Sequence, residues 1–150
     1  MKLTLPEGGR FFKTEYMSQT NKLPKRNEVP LDQKWKLEDI YPDEQAWEGD
    51  YQWVKEALPE AESIKGTLGQ SAEHLRKALD YYTQVSEKME KLFVFAHMKK
   101  DEDNSNTKAQ ALLDRAQTLS VEGTSAVSFL IPELLTVPEE KLRNWSGSQQ

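Results

Sequence analysis

The chain has no cysteine. That excludes disulfides, thiolate metal sites and a cysteine nucleophile, and it agrees with a reducing compartment. It has no apolar run near the roughly 20 residues of a membrane span, and its start lacks the apolar core of a secretory signal. The expected location is the cytoplasm, with no membrane partner. Only two histidines occur, His74 and His97. No Gly-x-Ser-x-Gly elbow is present, and Gly66-Thr67-Leu68-Gly69 lacks the Lys-Ser/Thr ending of a phosphate loop. The hydrophobic fraction is also low, 37% of 150 residues, against about 45–50% in ordinary domains. So thin a core implies apolar stripes on helices, some of them facing matter outside the chain.

Charge is plentiful, at 30% of residues with a net of −5, but its sign is divided along the chain. Residues 1–36 balance to +4 and residues 37–150 to −9. An acidic body offers no basic face for phosphates, so no nucleic-acid partner is expected. Residues 1–33 hold Pro6, Gly8, Gly9, Pro24 and Pro30 without sustained periodicity and read as an extended or disordered leader. Met17 heads an ordinary bacterial start, so residues 1–16 are expected to be an upstream extension from a mis-called start or an added, non-native sequence. Residues 34–150 read as one helical domain, cut short at its C-terminal end.

Within that domain Asp43 can cap a helix to about Leu58. Asp43, Glu44 and Glu48 sit where the helix dipole favours acid, and Ala46, Trp47, Tyr51, Val54 and Leu58 form its apolar stripe. Trp35 and Tyr41, just before it, are expected to pin the leader onto the bundle. Pro59, Gly66 and Gly69 punctuate the stretch beyond it, with Ala61 to Ile64 as a short continuation. Ser71 caps the next helix, in which Leu75, Ala78, Tyr82, Val85, Met89, Leu92 and Ala96 step by three and four; Leu79, Ser86 and Phe93 widen the seam. The polar run 99–106 ends it. Ala109, Leu112, Ala116, Leu119, Gly123, Ala126 and Leu130 then repeat the same stepping. The fold class is therefore all-α: a helical bundle built around a long antiparallel hairpin of residues 71–98 and 104–131. Small residues in the second seam allow close approach to the large residues of the first, which can offset the roughly 1 kcal/mol that Gly123 loses in helix propensity. Pro132 ends or kinks the second helix. Pro138 opens a further short helix, which meets little to bury against by Trp145.

Candidate chemistry is sparse. His74 and His97 lie 23 positions apart, about 35 Å on one straight helix, and neither belongs to a His-Glu-x-x-His pair. Both read as structural residues, His97 favoured by its place near a helix C-terminus. Asp101-Glu102-Asp103 lacks the glycine and distal glutamate of a calcium loop; Asp101 and Asp103 read as solvating a turn, with Asn104, Asn106 or Thr107 starting the next helix. Phe93 and Phe95 are about 200° apart on a helix, so one must meet a second surface, which hints at an additional partner. No catalytic, cofactor-binding or metal-ligating residue is assigned.

Three stretches occur in order: Leu23-Pro24-Lys25-Arg26-Asn27-Glu28-Val29-Pro30, Trp35-Lys36-Leu37-Glu38-Asp39-Ile40-Tyr41-Pro42, and Leu92-Phe93-Val94-Phe95-Ala96-His97-Met98-Lys99-Lys100-Asp101-Glu102-Asp103. Together with Ala109–Arg115 and Ala126-Val127-Ser128-Phe129 they resemble, over residues 22–142, the opening of oligoendopeptidase F, a zinc metallopeptidase. The resemblance implies a largely helical protein several-fold longer, enclosing a channel that admits short peptides. It implies a zinc site in the C-terminal half, where metal-activated water attacks the peptide carbonyl with a glutamate as general base. None of those ligand positions exists in this sequence. The expectation is an N-terminal, substrate-confining part of such an enzyme, inactive alone and partnered by the C-terminal catalytic domain of the same protein. The alternative is a non-catalytic helical module that binds peptides or proteins, or a gene remnant.

Overall fold

The computed structural model describes residues 28–147; most of the leader, including the 1–16 extension and residues 23–27 of the first resembling motif, lies outside the described residues. After short 3₁₀ turns at Leu31–Gln33 and Leu37–Asp39 come six helices: α1 (Glu44–Ala57), α2 (Ala61–Ile64), α3 (Ala72–Glu102), α4 (Thr107–Val127), α5 (Leu130–Leu134) and α6 (Glu139–Gly147). No strand occurs among the described residues.

The helix starts are those the side chains dictate. Asp43 is extended and its carboxylate accepts from the Ala46 amide at 2.8 Å. Ser71 Oγ accepts from the His74 amide at 3.2 Å, and Asn106 Oδ1 accepts from the amides of Lys108 and Ala109 at 3.0 and 3.2 Å. Each cap satisfies amides that the first helical turn leaves without a partner. Pro59 turns the end of α1 into a 3₁₀ segment, Leu58–Glu60, before α2. Gly66 then takes φ +82°, a left-handed conformation open to glycine.

The hairpin is longer than expected on its first arm. α3 runs four residues beyond Met98, because Lys99 to Glu102, although polar, still propagate a helix whose neighbours hold it. The turn is correspondingly tight, at 103–106. There Asp103 accepts from the amide and hydroxyl of Ser105 at 2.9 and 2.6 Å, contacts that keep its carboxyl below its ordinary pKa. Asp101 lies inside α3, 3.1 Å from His97 Nδ1, rather than in the turn. α4 stops at Val127, where Pro132 can no longer donate to the carbonyl four residues back, and α5 resumes with Pro132 inside its first turn.

The seams of the hairpin are buried largely as read, with three exchanges: Leu113 is buried in place of Leu112 and Val127 in place of Ala126, each a neighbour on the same apolar face, and Tyr81 in place of Tyr82. Ala78, Val85, Leu92 and Ala96 face Ala109, Ala116, Leu119, Gly123 and Leu130. At the hydroxylated pair, however, Tyr81 is buried at 8% exposure and Tyr82 is 37% exposed. The Tyr81 hydroxyl donates to the carbonyl of Ala57 at 3.1 Å, a partner that only the packing of α1 supplies. Close approach of the arms is explicit at Gly123, where a Cβ would sit 2.0 Å from Met89 Sδ.

α1 lies in the groove between the two arms. Its partners on α3 descend as its own numbers rise, from Glu44–Lys99 to Asp50–Lys88, so it runs antiparallel to α3. On α4 they ascend, from Glu48–Arg115 to Lys55–Glu122, so it runs parallel to α4. Trp47 is fully buried at this junction and its indole donates to the Leu92 carbonyl at 3.0 Å. Phe95 packs edge-on against Tyr41 at 5.4 Å between centroids. The second surface required by the Phe93/Phe95 geometry is thus met within the chain, by the segment leading into α1. Tyr41 does pin that segment, buried at 3% exposure, whereas Trp35 remains 58% exposed beside it. α6 does find cover, with Leu142 and Trp145 half-buried against the core and Lys141 reaching the Gly69 carbonyl at 3.2 Å.

Candidate functional site

The side of the hairpin that receives α1 carries most of the polar chemistry. Asp50 accepts from the Tyr41 hydroxyl at 2.7 Å and from Lys88. Burial pushes the Asp50 carboxyl up, but Lys88, Tyr41 and Lys91 together outweigh it and hold the group below its ordinary range. The Tyr41 phenol is raised far above its usual value by burial and by the neighbouring Asp50 charge. Lys88 also lies 5.1 Å from the Trp53 ring and Lys91 4.5 Å from the Tyr41 ring.

One turn away, Arg115 donates to Glu48 at 2.8 Å and its guanidinium lies 4.2 Å from the Tyr51 centroid and 5.0 Å from Trp47. Trp47 and Tyr51 are themselves stacked at 5.2 Å. The Arg115 hydrogen bond, assisted by Gln52, lowers Glu48, as Lys99 lowers Glu44. The set is a clasp that fixes the register of α1. Its pairs are partly solvated, so each contributes of order 1 kcal/mol or less.

A second clasp holds the lower end. Glu133 on α5 accepts from the amides of Gly66 and Leu68 at 2.8 and 2.9 Å, one on each carboxylate oxygen. The left-handed Gly66 turns these two amides toward a single acceptor. In sequence the only sign of it is the pair Gly66 and Gly69; the glutamate comes from 67 positions away.

A groove of about 610 Å³ lies beside the clasp and is open to solvent. Trp53, Tyr81, Glu56, Glu60, Arg76 and Asp80 are among the residues that line it. No charged or polar residue is buried among the described residues, so no general acid or base is sheltered from water there. The residues lining the groove include apolar, acidic and basic side chains.

His74 Nδ1 is paired with Ser71 Oγ at 2.8 Å in the first turn of α3, and His97 sits near its far end, paired with Asp101 and tilted on Phe93 at 5.7 Å. One continuous helix separates them by about 35 Å. No group of three potential metal-binding side chains forms among the described residues, so the donor set does not fit a catalytic zinc. No helix among them is long and apolar enough to cross a membrane. The clasp residues Asp50, Lys88, Arg115 and Glu133 were not singled out by sequence reasoning, because an isolated charge on a helix reads as solvated.

No family model matches the chain. It is 41% identical over 127 residues to oligopeptidase PepF of Bacillus subtilis, covering 85% of this chain and 19% of that protein. It is 33% identical over 126 residues to the plasmid-borne oligoendopeptidase F of Lactococcus lactis subsp. cremoris, covering 83% and 21%. The crystal structure of oligoendopeptidase-F from Enterococcus faecium superposes with a TM-score of 0.64 at 33% identity, over 68% of this chain and 20% of that one. The chain spans about a fifth of the length of the curated relatives it matches. With sequence and helical architecture in agreement, this chain is a relative of oligoendopeptidase F over a segment amounting to about one fifth of such a protein.

Proposed function

We propose that this chain forms the N-terminal, substrate-confining wall of a zinc-dependent oligoendopeptidase that hydrolyses short peptides in the cytoplasm. The observation that carries the proposal is the 41% identity over 127 residues to a named oligopeptidase, joined to a matching helical architecture. Catalysis and the metal belong, on this reading, to a C-terminal part outside this sequence, and no residue of residues 1–150 is catalytic or a metal ligand. His74 and His97 stand near opposite ends of α3, and among the described residues no group of three potential metal-binding side chains forms. What this chain contributes is shape: a rigid hairpin locked by the α1 clasp, with a leader of residues 1–33 before it.

The test replaces the matched 127 residues of the Bacillus subtilis oligopeptidase with those of this chain and measures cleavage of a short internally quenched peptide. The chimera is expected to cleave and to lose activity with a chelator. The 150-residue chain alone is expected to be inactive with or without added zinc. A folded but inactive chimera would overturn the peptidase reading and favour a free-standing binding module.

A further inference from the structure

The two sides of the hairpin differ sharply, and the unclasped side has a defined composition. On α3 the positions turned away from α1 are Leu79, Tyr82, Ser86 and Phe93, which step along one stripe by three, four and seven residues. On α4 the corresponding positions include Gln117 and Thr124. None of these six carries charge, in a chain where 30% of residues do; Glu90 lies at the outer edge of the stripe. Leu79 and Tyr82 are 39% and 37% exposed, and Phe93 is half-buried.

The end of this stripe nearest the start of α3 already shows what fits it. α6 lies there, and Leu142 and Trp145 form with Leu75 and Leu79 the walls of an apolar cleft of about 470 Å³. An amphipathic helix presenting leucine and an aromatic is thus the form of cover that this surface takes within the chain. Glu73, Arg76 and Asp80 also line that cleft, whereas from Tyr82 to Phe93 the stripe itself offers hydroxyls and apolar carbon.

Resting on the peptidase reading above, we infer that the Leu79–Phe93 stripe with Gln117 and Thr124 is the docking face for the remainder of the oligoendopeptidase polypeptide, which covers it with amphipathic helix. The similar oligopeptidase sequence and the solved oligoendopeptidase-F chain are each about five times longer than the matched segment, so a segment embedded in such a protein must present a face to the other four-fifths. The α1 side is already occupied by the chain's own clasp. The uncharged side is continuous with the α6 contact and remains half-open.

The absence of native cysteine makes the test direct. Thr124→Cys reports the stripe and Gln52→Cys, on the outer side of α1, serves as the reference; both are exposed. Thiol labelling at each position, resolved by mass spectrometry, is compared between the 150-residue chain and the Bacillus subtilis chimera. Docking predicts that labelling at position 124 slows by at least about tenfold in the chimera while position 52 changes little. Unchanged labelling at position 124 in an active chimera overturns the assignment of the face and leaves the peptidase reading standing; an inactive, folded chimera counts against the latter. A stripe already protected in the 150-residue chain, with a dimer in sedimentation, also overturns the inference and assigns the face to a second copy. Independently of the chimera, Tyr82→Lys with Thr124→Lys is expected to shift the melting temperature of the 150-residue chain by no more than about 2 °C. A clearly larger loss would mean that the stripe belongs to the chain's own core.

Discussion

On one side of the hairpin, Glu44, Glu48, Asp50 and Lys55 of α1 each find an opposite charge on α3 or α4, and Trp47 is sealed beneath them. On the other side, Leu79, Tyr82 and Thr124 find no such covering helix beyond α6. Both sides belong to the same two helices and share one buried seam. Their difference teaches that the charge pattern records how a face is covered: ion pairs set the register of a helix supplied by the chain itself, whereas a face kept free of charge suits apolar packing. The distinction also separates residues that hold this chain together from residues available to a partner.

Breaking the covered side should have the largest effect. Trp47→Ala removes a fully buried indole and its hydrogen bond to Leu92, and the expected loss is about 3–5 kcal/mol, read from urea unfolding. A loss below about 1 kcal/mol would mean that α1 is only loosely seated. At the seam, Gly123→Leu should cost about 1–3 kcal/mol, since Met89 already fills the space and Leu58 lies 3.7 Å from a built Cβ. Gly123→Ala should stay within about 1 kcal/mol of the parent, because the thioether can swing aside and alanine favours the helix. Equal losses for both would refute the close approach at this position.

Acid should separate the two sides next. Glu44, Glu48 and Asp50 have their carboxyls lowered in the folded chain from ordinary values of 4.5, 4.5 and 3.8. A depressed carboxyl contributes stability that is present above its unfolded value and is lost as pH falls through the folded one. The melting temperature should therefore hold from pH 7 to about 5 and then fall toward pH 3. Glu48→Gln and Asp50→Asn together should flatten that fall, and an unaltered acid limb would show that other carboxylates carry it. Smallest of all, Tyr82→Lys on the uncovered side should change the stability of the chain by less than about 0.5 kcal/mol.

Much of this was legible locally. Asp43 and Ser71 announced their helices because a cap is satisfied within three residues, while the structure selected Asn106 from the three starts the sequence left open, Asn104, Asn106 and Thr107. Both seams were legible because a helix repeats its faces every three or four positions. The exchange of Tyr81 for Tyr82 was not, since adjacent tyrosines differ by about 100° and only the Ala57 carbonyl selects one. The extension of α3 through Glu102 was hidden for a similar reason, as polar residues at a helix end are neutral between helix and turn until neighbours such as Glu44 engage Lys99.

The sequence by itself determined the all-α class, the capped hairpin, the likeness to oligoendopeptidase F and the lack of a zinc-binding helix, all of which rest on residue types at short spacing. Only the tertiary structure decided that Phe95 is satisfied by Tyr41, that Glu133 closes onto Gly66 and Leu68, and that one face is clasped while the other stays open. Those outcomes join residues tens of positions apart, and a short-range pattern holds no information on which distant group will arrive.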